Sequence, residues 1–459
     1  MNRKSTYCNI NIYTAKFFFA LCCIFIASNY DVYAQNGINT PYSRYGFGIQ
    51  ADRANGFNKG MAGVTQGFRD GQIINAQNPA SYSAVDSLTA LFDFGLSLQN
   101  GNYKMGDLQQ NAKNTSLDYA SFHFRAARHV GVALGILPYT NIGYSFNTSN
   151  EQLPGDEDKT SSYAFSGDGG LHQVFIGAGW QILKPISIGF NASYLYGNYS
   201  HTMTNSFSQA AISSLVRGYN ANISTYMIDF GLQYIQPISK KDKVVLGVSY
   251  GLGHDVKNRA IRYTEVYNNS SAVVESITGD TLKNAFQLPE TFAVGVTYYH
   301  STKWKVGADL ELQKWSECRF PIENTVGDYV SATGALYDKK RVAVGGEYTP
   351  NVNSQKYFNR VSYKFGGYYS ESYARPTLES GVDTKPTEFG ISAGVTLPIS
   401  NRHTWYNAPK INLSVQWVHT DIPYLSNINN ARQTLKEDYL KLSIGLTISE
   451  RWFYKWKVE

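Results

Sequence analysis

The chain has 459 residues, of which 17% are charged and 14% are aromatic, with 35 Tyr and 40 Gly. The net charge of +6 is diffuse, and no run of Lys and Arg interleaved with aromatic residues marks a nucleic-acid-binding surface, so we expect no nucleic-acid partner. The mean hydropathy of −0.31 excludes a bundle of membrane-spanning helices. Few charges with many Tyr and Gly are typical of an all-β chain whose strands carry aromatic anchors at a membrane interface.

Residues 1–34 are predicted to be a secretory signal peptide. Basic residues precede the short apolar run FFFALCCIFIA (17–27), and DVYAQ (31–35) offers small side chains at a cleavage site, so we expect cleavage after Ala34. The apolar run is shorter than the ~20 residues that a spanning helix needs. Three of the four cysteines fall in this peptide, which leaves Cys318 alone and excludes an internal disulfide from the mature chain.

Residues 35–86 show no sustained alternation of apolar and polar side chains. The stretch is rich in Gly, yet it contains more aromatic and aliphatic side chains than a disordered tail would carry. We therefore predict a compact hatch, or plug, that lies inside a barrel formed by the rest of the chain.

The pattern changes from residue 87 onward, where period-two alternation recurs. In KWKVGADLELQKW (303–315), Trp304 and Leu310 fall on one face, whereas Asp309 and Glu311 fall on the other. Successive side chains of a strand point to opposite faces, so this pattern predicts an amphipathic β-strand.

Alternation of this kind predicts fourteen strands between residues 87 and 453. They lie near 87–99, 116–127, 130–147, 163–183, 186–205, 223–237, 243–265, 285–300, 303–318, 337–349, 360–374, 386–399, 410–420 and 438–450. Most of the intervening turns at one end are short. Long polar loops are expected at the other end, near 100–115, 148–162, 206–222, 266–284, 319–336 and 421–437. Within one of these, 208–222 has the spacing of a short amphipathic helix.

An even strand number with short turns at one end and long loops at the other is typical of an outer-membrane barrel. The predicted fold class is therefore all-β, a fourteen-stranded antiparallel transmembrane β-barrel over residues 87–453, with the hatch in its lumen. Residues 454–459 are expected to form a short periplasmic C-terminal extension. The predicted location is the outer membrane of a Gram-negative bacterium, where membrane lipid is the first partner.

The charged side chains of the strands share the face opposite the apolar one. A lipid-facing charge near the bilayer midplane costs roughly 2–4 kcal/mol, so these charges are expected in the lumen. The predicted lumen residues are Asp93, Asp229, Asp309, Glu311, Arg341, Glu347 and Lys364.

Two stretches resemble the long-chain fatty acid transporter (FadL/TodX) family. GMAGVTQGFRDGQIINAQNPASYS (60–83) is similar to the hatch of that family, and LPETFAVGVTYYHSTKWKVGADLELQKWS (288–316) is similar to one of its hairpins. The matching hatch residues are Gly60, Gly63, Asp70, Asn78, Pro79 and Ala80. The resemblance implies a fourteen-stranded barrel closed by an N-terminal hatch. It also implies that hydrophobic ligands leave sideways into the membrane beside a kinked third strand.

Pro138 lies inside the predicted third strand, within GILPYTNIG (135–143). Proline has no N–H to donate to a ladder and is disfavoured within sheets except at edges and bulges. Two interpretations remain open, namely a lateral gate in the barrel wall and a bulge without function.

No chemistry of an enzyme can be assembled from the sequence. The eight His are scattered without metal-ligand spacing, and no nucleophile, base and acid form a set, so we expect no enzyme, cofactor or metal. Two functions remain. The first is a FadL-like channel for hydrophobic small molecules with lateral exit. The second is a non-transporting barrel that serves as a subunit or docking platform of an outer-membrane secretion or protein-assembly complex, with other outer-membrane or periplasmic proteins as partners.

Overall fold

The structure is a computed structural model, and it describes residues 38–105, 108–147, 151–153, 156–209, 211–271, 273–324, 326–376, 385–399, 409–425 and 432–451. The predicted signal peptide (1–34) and C-terminal extension (454–459) lie outside these residues, so both stay predictions. Among the described residues, no helix is both long and apolar enough to cross a membrane.

Fourteen long strands of the described chain form one antiparallel sheet. In chain order they are β1 (Thr89–Met105), β2 (Leu108–Ala127), β3 (Val130–Asn147), β4 (Asp156–Gln181), β5 (Ile186–Phe207), β6 (Ser214–Pro237), β7 (Asp242–Gly251), β8 (Thr291–His300), β9 (Trp304–Gln313), β10 (Lys339–Tyr348), β11 (Ser362–Glu371), β12 (Thr387–Pro398), β13 (Lys410–Leu425) and β14 (Arg432–Arg451).

The sheet closes on itself into a barrel. Each strand pairs with the next one along the chain, and β1 pairs with β14 in a ladder that runs from Thr89↔Arg451 to Lys104↔Lys436. Closure removes the free edges of an open sheet, as a strand array in lipid requires. Each predicted strand overlaps one of these fourteen, and the predicted fourteen-stranded antiparallel barrel is confirmed.

The two faces of the wall differ as the alternation indicates. On β9, Trp304, Val306 and Leu310 have exposed fractions of 47%, 44% and 53%, whereas Asp309 on the same strand is 6% exposed. The exposed aromatic and aliphatic side chains therefore form the outer surface of the barrel, and the polar side chains point inward.

The structure corrects several details at the long-loop end. Residues 208–222 do not form the predicted helix. β6 begins at Ser214, and its first residues pair with β5 on one edge and with the strand Arg259–Asn268 on the other. Much of the sequence predicted as loops near 100–115, 206–222 and 421–437 is strand as well. These segments are polar strands that continue past the apolar band, where pairing with neighbours overrides the weak local preference.

The predicted single strand 243–265 is also wrong. It is interrupted after β7 by glycines at 251 and 253, which weaken a strand interior, and the chain resumes as Arg259–Asn268. Arg259–Asn268 pairs with Val273–Lys283 and with the first residues of β6. These two strands therefore extend the sheet beyond the fourteen-stranded barrel at the long-loop end. Two smaller sheets join it at this end: His254–Val256 with Phe286–Leu288, and Phe320–Glu323 with Tyr329–Ala332.

Candidate functional site

The N-terminal segment (residues 38–86) lies against the inward faces of the strands. Its local structure comes from two asparagine caps. Asn55 begins the short helix Gly56–Lys59, and Asn78 begins the 3-10 helix Pro79–Ala84, each with its side chain accepting a backbone N–H of the helix. Asn is a favoured N-cap, and Pro79 follows at a position that lacks a hydrogen-bonded N–H anyway.

The Asn78-Pro79-Ala80 motif makes close contact with the barrel wall. The Asn78 amide donates to the carbonyl of Gln66 at 2.9 Å and to that of Leu232 on β6 at 3.4 Å. Opposite Pro79, the wall residue Gly189 on β5 leaves no room for a Cβ atom against the Pro79 and Ala80 backbone. The motif therefore fits a wall that is glycine-lined at this level.

The other predicted hatch residues lie at the same interface. Gly60 approaches Gly394 of β12, where a Cβ would come within 3.1 Å of the Gly394 Cα, and Gly63 has a positive φ of 73°, which favours glycine. Asp70 forms a salt bridge with Lys305 of β9 at 2.8 Å. Although burial by itself would raise the pKa of Asp70, Lys305 and Lys410 hold that pKa well below its usual range.

Four of the predicted lumen charges bind the N-terminal segment directly. Asp309 accepts the backbone N–H groups of Thr65 and Gln66 at 2.5 and 2.9 Å, and Arg341 donates to the carbonyl of Ala62 at 2.6 Å. Asp93 accepts from the Asn55 amide at 3.3 Å, and Asp229 lies 3.6 Å from the guanidinium of Arg53. Backbone groups that an irregular buried segment cannot pair within itself are thus satisfied by the wall.

The remaining predicted charges are placed differently. Glu347 meets the segment through Lys305, which lies 3.3 Å from it. The ammonium of Lys364 donates to Thr396 at 2.5 Å and stands 3.3 Å from the ring centroid of Phe57. Glu311 accepts from Gln313 of its own strand at 2.6 Å and faces a cavity instead.

Sequence reasoning did not select three groups that anchor the segment. Lys305 falls on the same face as Asp309, so the alternation was the available signal. Lys59 forms a buried salt bridge with Asp118 of β2, and no local pattern marks this pair. Arg69 is buried beside the Ala80 carbonyl, to which it donates at 3.0 Å, and burial lowers the pKa of Arg69 to about 10.

The ladder between β2 and β3 ends early, close to Pro138. Its last pair is Ala120↔Ile136, although β2 extends back to Leu108 and β3 continues to Asn147. On the other edge of β3, Pro138 is opposite His172 of β4, and the register then shifts by one residue. The described wall is therefore not hydrogen-bonded between β2 and β3 beyond this point.

The N-terminal segment takes the place of β2 along this part of β3. Ile49–Gln50 pairs with Thr140 and Asn141, and the N–H of Ala51 donates to the carbonyl of Tyr139 at 3.0 Å. Ser43 Oγ accepts the N–H of Gly143 at 3.1 Å, and its hydroxyl proton lies between the carbonyls of Thr40 at 2.8 Å and Gly143 at 3.1 Å. The edge of β3 is thus satisfied from inside the barrel.

A cavity of about 190 Å³, the lumen cavity, lies behind the break. Leu117 and Pro138 line it at the wall. Its other lining side chains are mainly polar or charged, among them Asp52, Arg53, Asp118, Glu311, Lys339, Arg341, Glu388, Glu437 and Lys441. The space next to the wall break is therefore polar.

The largest buried apolar cluster of the described residues is densely packed. It lies at the long-loop end, where Phe47 of the N-terminal segment contacts Phe286, Trp315 and Phe320 with ring centroids 5.1–5.9 Å apart. Trp315 also contacts Tyr373, with ring centroids 4.7 Å apart and planes tilted by 32°. These five rings are at most 6% exposed, so side chains of the protein fill the apolar volume.

A larger cavity of about 1010 Å³, the vestibule, lies at the short-turn end. Its lining includes the exposed turn residues Ser301 and Thr302, residues 69–72 and 83–86 of the N-terminal segment, and Ser87 and Leu88, which follow that segment. Among the described residues, the vestibule included, no group of three or more His, Cys, Asp or Glu is placed to hold a metal ion.

Solved structures with a similar fold include a FadL homologue and two toluene transporters. A FadL homologue from Pseudomonas aeruginosa has a TM-score of 0.60 at 10% identity, over 87% of this chain and 98% of that one. The toluene transporter TodX from Pseudomonas putida has a TM-score of 0.58 at 12% identity, over 88% and 99%. The toluene transporter TbuX from Ralstonia pickettii has a TM-score of 0.56 at 13% identity, over 89% and 100%. Among curated proteins, none matches the chain.

The fold predicted from the sequence is therefore the fold of these solved structures, and the chain is a barrel of the FadL type. The matching family model is the one described as BamG, and it extends over residues 14–459. The chain belongs to the BamG family.

Proposed function

We propose that this protein is a FadL-type barrel that does not transport, and that it serves as a subunit or docking platform of an outer-membrane secretion or protein-assembly complex. The observation that carries the proposal is the filled apolar interior at the long-loop end. There the rings around Phe47 occupy the volume that a hydrophobic ligand would need.

The polarity of the remaining space supports the same function. A hydrophobic molecule in the lumen cavity would displace water from charged groups such as Glu311, Arg341 and Lys441 without offering them a partner. Burying polar groups without replacement hydrogen bonds is unfavourable by several kcal/mol, on the order of 2–7 per group. In this function the N-terminal segment acts as a fixed plug that makes the barrel rigid.

The family membership is compatible with a function unlike that of the solved neighbours. Sequence identities of 10–13% to those structures indicate a shared fold but not a shared function, because one fold can serve many functions. The BamG family model, by contrast, matches nearly the whole chain.

The test is purification of the tagged full chain from its native membrane in mild detergent, followed by native mass spectrometry. We expect a complex of fixed stoichiometry with other outer-membrane or periplasmic proteins. A monodisperse single chain that carries hydrophobic small molecules would contradict the platform function.

A second candidate function is passage of a hydrophobic small molecule with lateral exit into the bilayer. The observation that favours it is the early end of the β2–β3 ladder at Ala120↔Ile136, next to a cavity that Leu117 and Pro138 line. Two of the neighbours are described as toluene transporters, which is the ligand class this path would take.

The path can be tested through Ser43, which clamps Gly143 of β3 from inside. Ser43→Ala removes these hydrogen bonds and should loosen the N-terminal segment at the break. If ligands exit here, uptake of a fluorescent hydrophobic probe into vesicles should rise in Ser43→Ala relative to Ser87→Ala, a control position just beyond the other end of the segment. Absence of uptake by both variants and by the native protein would exclude this function.

A further inference from the structure

The vestibule carries an excess of positive charge. Six Lys or Arg side chains and three carboxylates line it. The cations are Arg69, Arg125, Lys243, Lys305, Arg360 and Lys410, and the carboxylates are Asp70, Asp86 and Glu347. Two of the three carboxylates are already held by Lys305, at 2.8 Å for Asp70 and 3.3 Å for Glu347.

Four of these cations make no salt bridge with a carboxylate of the described chain. Lys410 donates to the Gln72 side-chain oxygen at 2.7 Å, and Lys243 stands 4.6 Å from the ring centroid of Tyr299. Arg125 and Arg69 donate to carbonyl, hydroxyl and amide oxygens. Asp70 lies near enough to Lys410 to interact with it electrostatically, but the six cations outnumber the three carboxylates, and an excess of cations in a partly buried cleft raises the local concentration of anions.

The cations are also distributed around the vestibule. Arg125 is on β2, Lys243 is the second residue of β7 and Lys410 is the first residue of β13. Around the closed barrel, five strands separate β7 from β13 in one direction and seven in the other, so these lysines are on opposite sides of the barrel. A single small anion cannot meet both sides at once, whereas an extended acidic chain can. The volume of about 1010 Å³ is at the upper end of the range for ligand sites, roughly 300–1,000 Å³.

We propose that the vestibule binds an acidic peptide segment of a periplasmic partner protein. Short turns of outer-membrane barrels face the periplasm, which places the vestibule on that side of the membrane. The inference rests on the proposed platform function and specifies the chemistry of the partner, a run of Asp and Glu whose carboxylates pair with Lys243 and Lys410.

The test uses the purified full-length barrel and a fluorescein-labelled oligoglutamate peptide, with binding followed by fluorescence anisotropy at low salt. The double variant Lys243→Gln/Lys410→Gln should weaken binding on the order of tenfold for each cation removed. The matched control is Lys240→Gln/Lys241→Gln, since these lysines are exposed in a turn at the same end and do not line the vestibule. Heat-dependent gel mobility verifies that each variant is folded.

Binding that is equal in the two double variants, or absent from the native barrel, would overturn the proposal. Inorganic phosphate is the comparison ligand: if it displaces the peptide at equal concentration, the site is for small anions and not for a peptide. Native mass spectrometry of the complex separates this inference from the platform function. A complex that forms normally with Lys243→Gln/Lys410→Gln refutes the vestibule site and leaves the platform intact, whereas peptide binding without any complex does the reverse.

Discussion

Lys305 of β9 and Asp70 of the N-terminal segment form a salt bridge of 2.8 Å, and Glu347 of β10 approaches the same ammonium at 3.3 Å. One lysine therefore joins two neighbouring strands to a segment more than 230 positions earlier in the chain. Phe57 and Phe68 flank it, each with a ring centroid 5.3 Å from the ammonium. The contact shows how the wall and the segment depend on each other.

Replacing this lysine should destabilise the protein strongly. Lys305→Met leaves the buried carboxylate of Glu347 and the partly buried carboxylate of Asp70 without this cation, and breaking a buried pair in this way costs about 3–5 kcal/mol. The midpoint of urea unfolding in lipid vesicles should fall accordingly. Lys314→Met, which removes a partly exposed pair with Glu290, is the control and should change stability by about 1 kcal/mol or less. Equal effects of the two substitutions would show that the pair does not anchor the segment.

The depressed pKa of Asp70 predicts an acid-dependent loss of stability. Because the folded-state pKa lies below the unfolded value of about 3.9, the stabilisation is fully present above that value and is lost as the pH falls through the folded pKa. Native protein should lose more stability between pH 5 and pH 3 than Asp70→Asn does, measured by urea unfolding. The comparison with Asp70→Asn cancels the other carboxylates. Parallel pH curves for the two proteins would contradict the assignment.

The orientation of β9 can be read from spin labels at adjacent positions. With Cys318→Ser as background, a nitroxide at Leu310→Cys should be relaxed by lipid-soluble oxygen, and one at Glu311→Cys by a water-soluble nickel complex. The reason is that Leu310 is exposed on the apolar outer surface, whereas Glu311 lines the lumen cavity. The opposite result would mean that the register is shifted by one residue, which exchanges the faces of the strand.

The glycine-lined wall opposite Pro79 predicts an unusual sensitivity to a single methyl group. Gly189→Ala places a Cβ against the Pro79 and Ala80 backbone and should cost about 1–3 kcal/mol as an overpacked site. Gly367→Ala on β11 is the matched control, because its Cβ would meet its nearest atom at 3.5 Å, an ordinary contact. Hydrogen exchange of residues 78–84 should accelerate in the first variant only. Unchanged exchange in Gly189→Ala would mean that the segment is not seated on the wall as the structure has it.

The sequence alone determined the architecture of the wall. A strand in lipid has an apolar outer face and a polar inner face, so its alternation is local and visible without knowledge of its neighbours. For this reason the number of strands and their apolar faces were predictable from the sequence. For the same reason Asp93, Asp309 and Arg341 were assigned to the inner face. The exposed Leu310 and the buried Asp309 on one strand illustrate the rule.

Only the tertiary structure decided which groups pair across the molecule. The segment 208–222 has helical spacing, yet two neighbouring strands make it part of β6. Pro138 marks an irregular strand in the sequence. The sequence does not show that β2 separates from β3 there and that Ile49–Gln50 pairs with β3 instead, because that pairing joins residues about 90 positions apart. Such pairings cannot be read from local sequence, because the backbone groups at a strand edge can hydrogen-bond to any extended segment. The periodicity within one strand does not indicate which segment will pair with it.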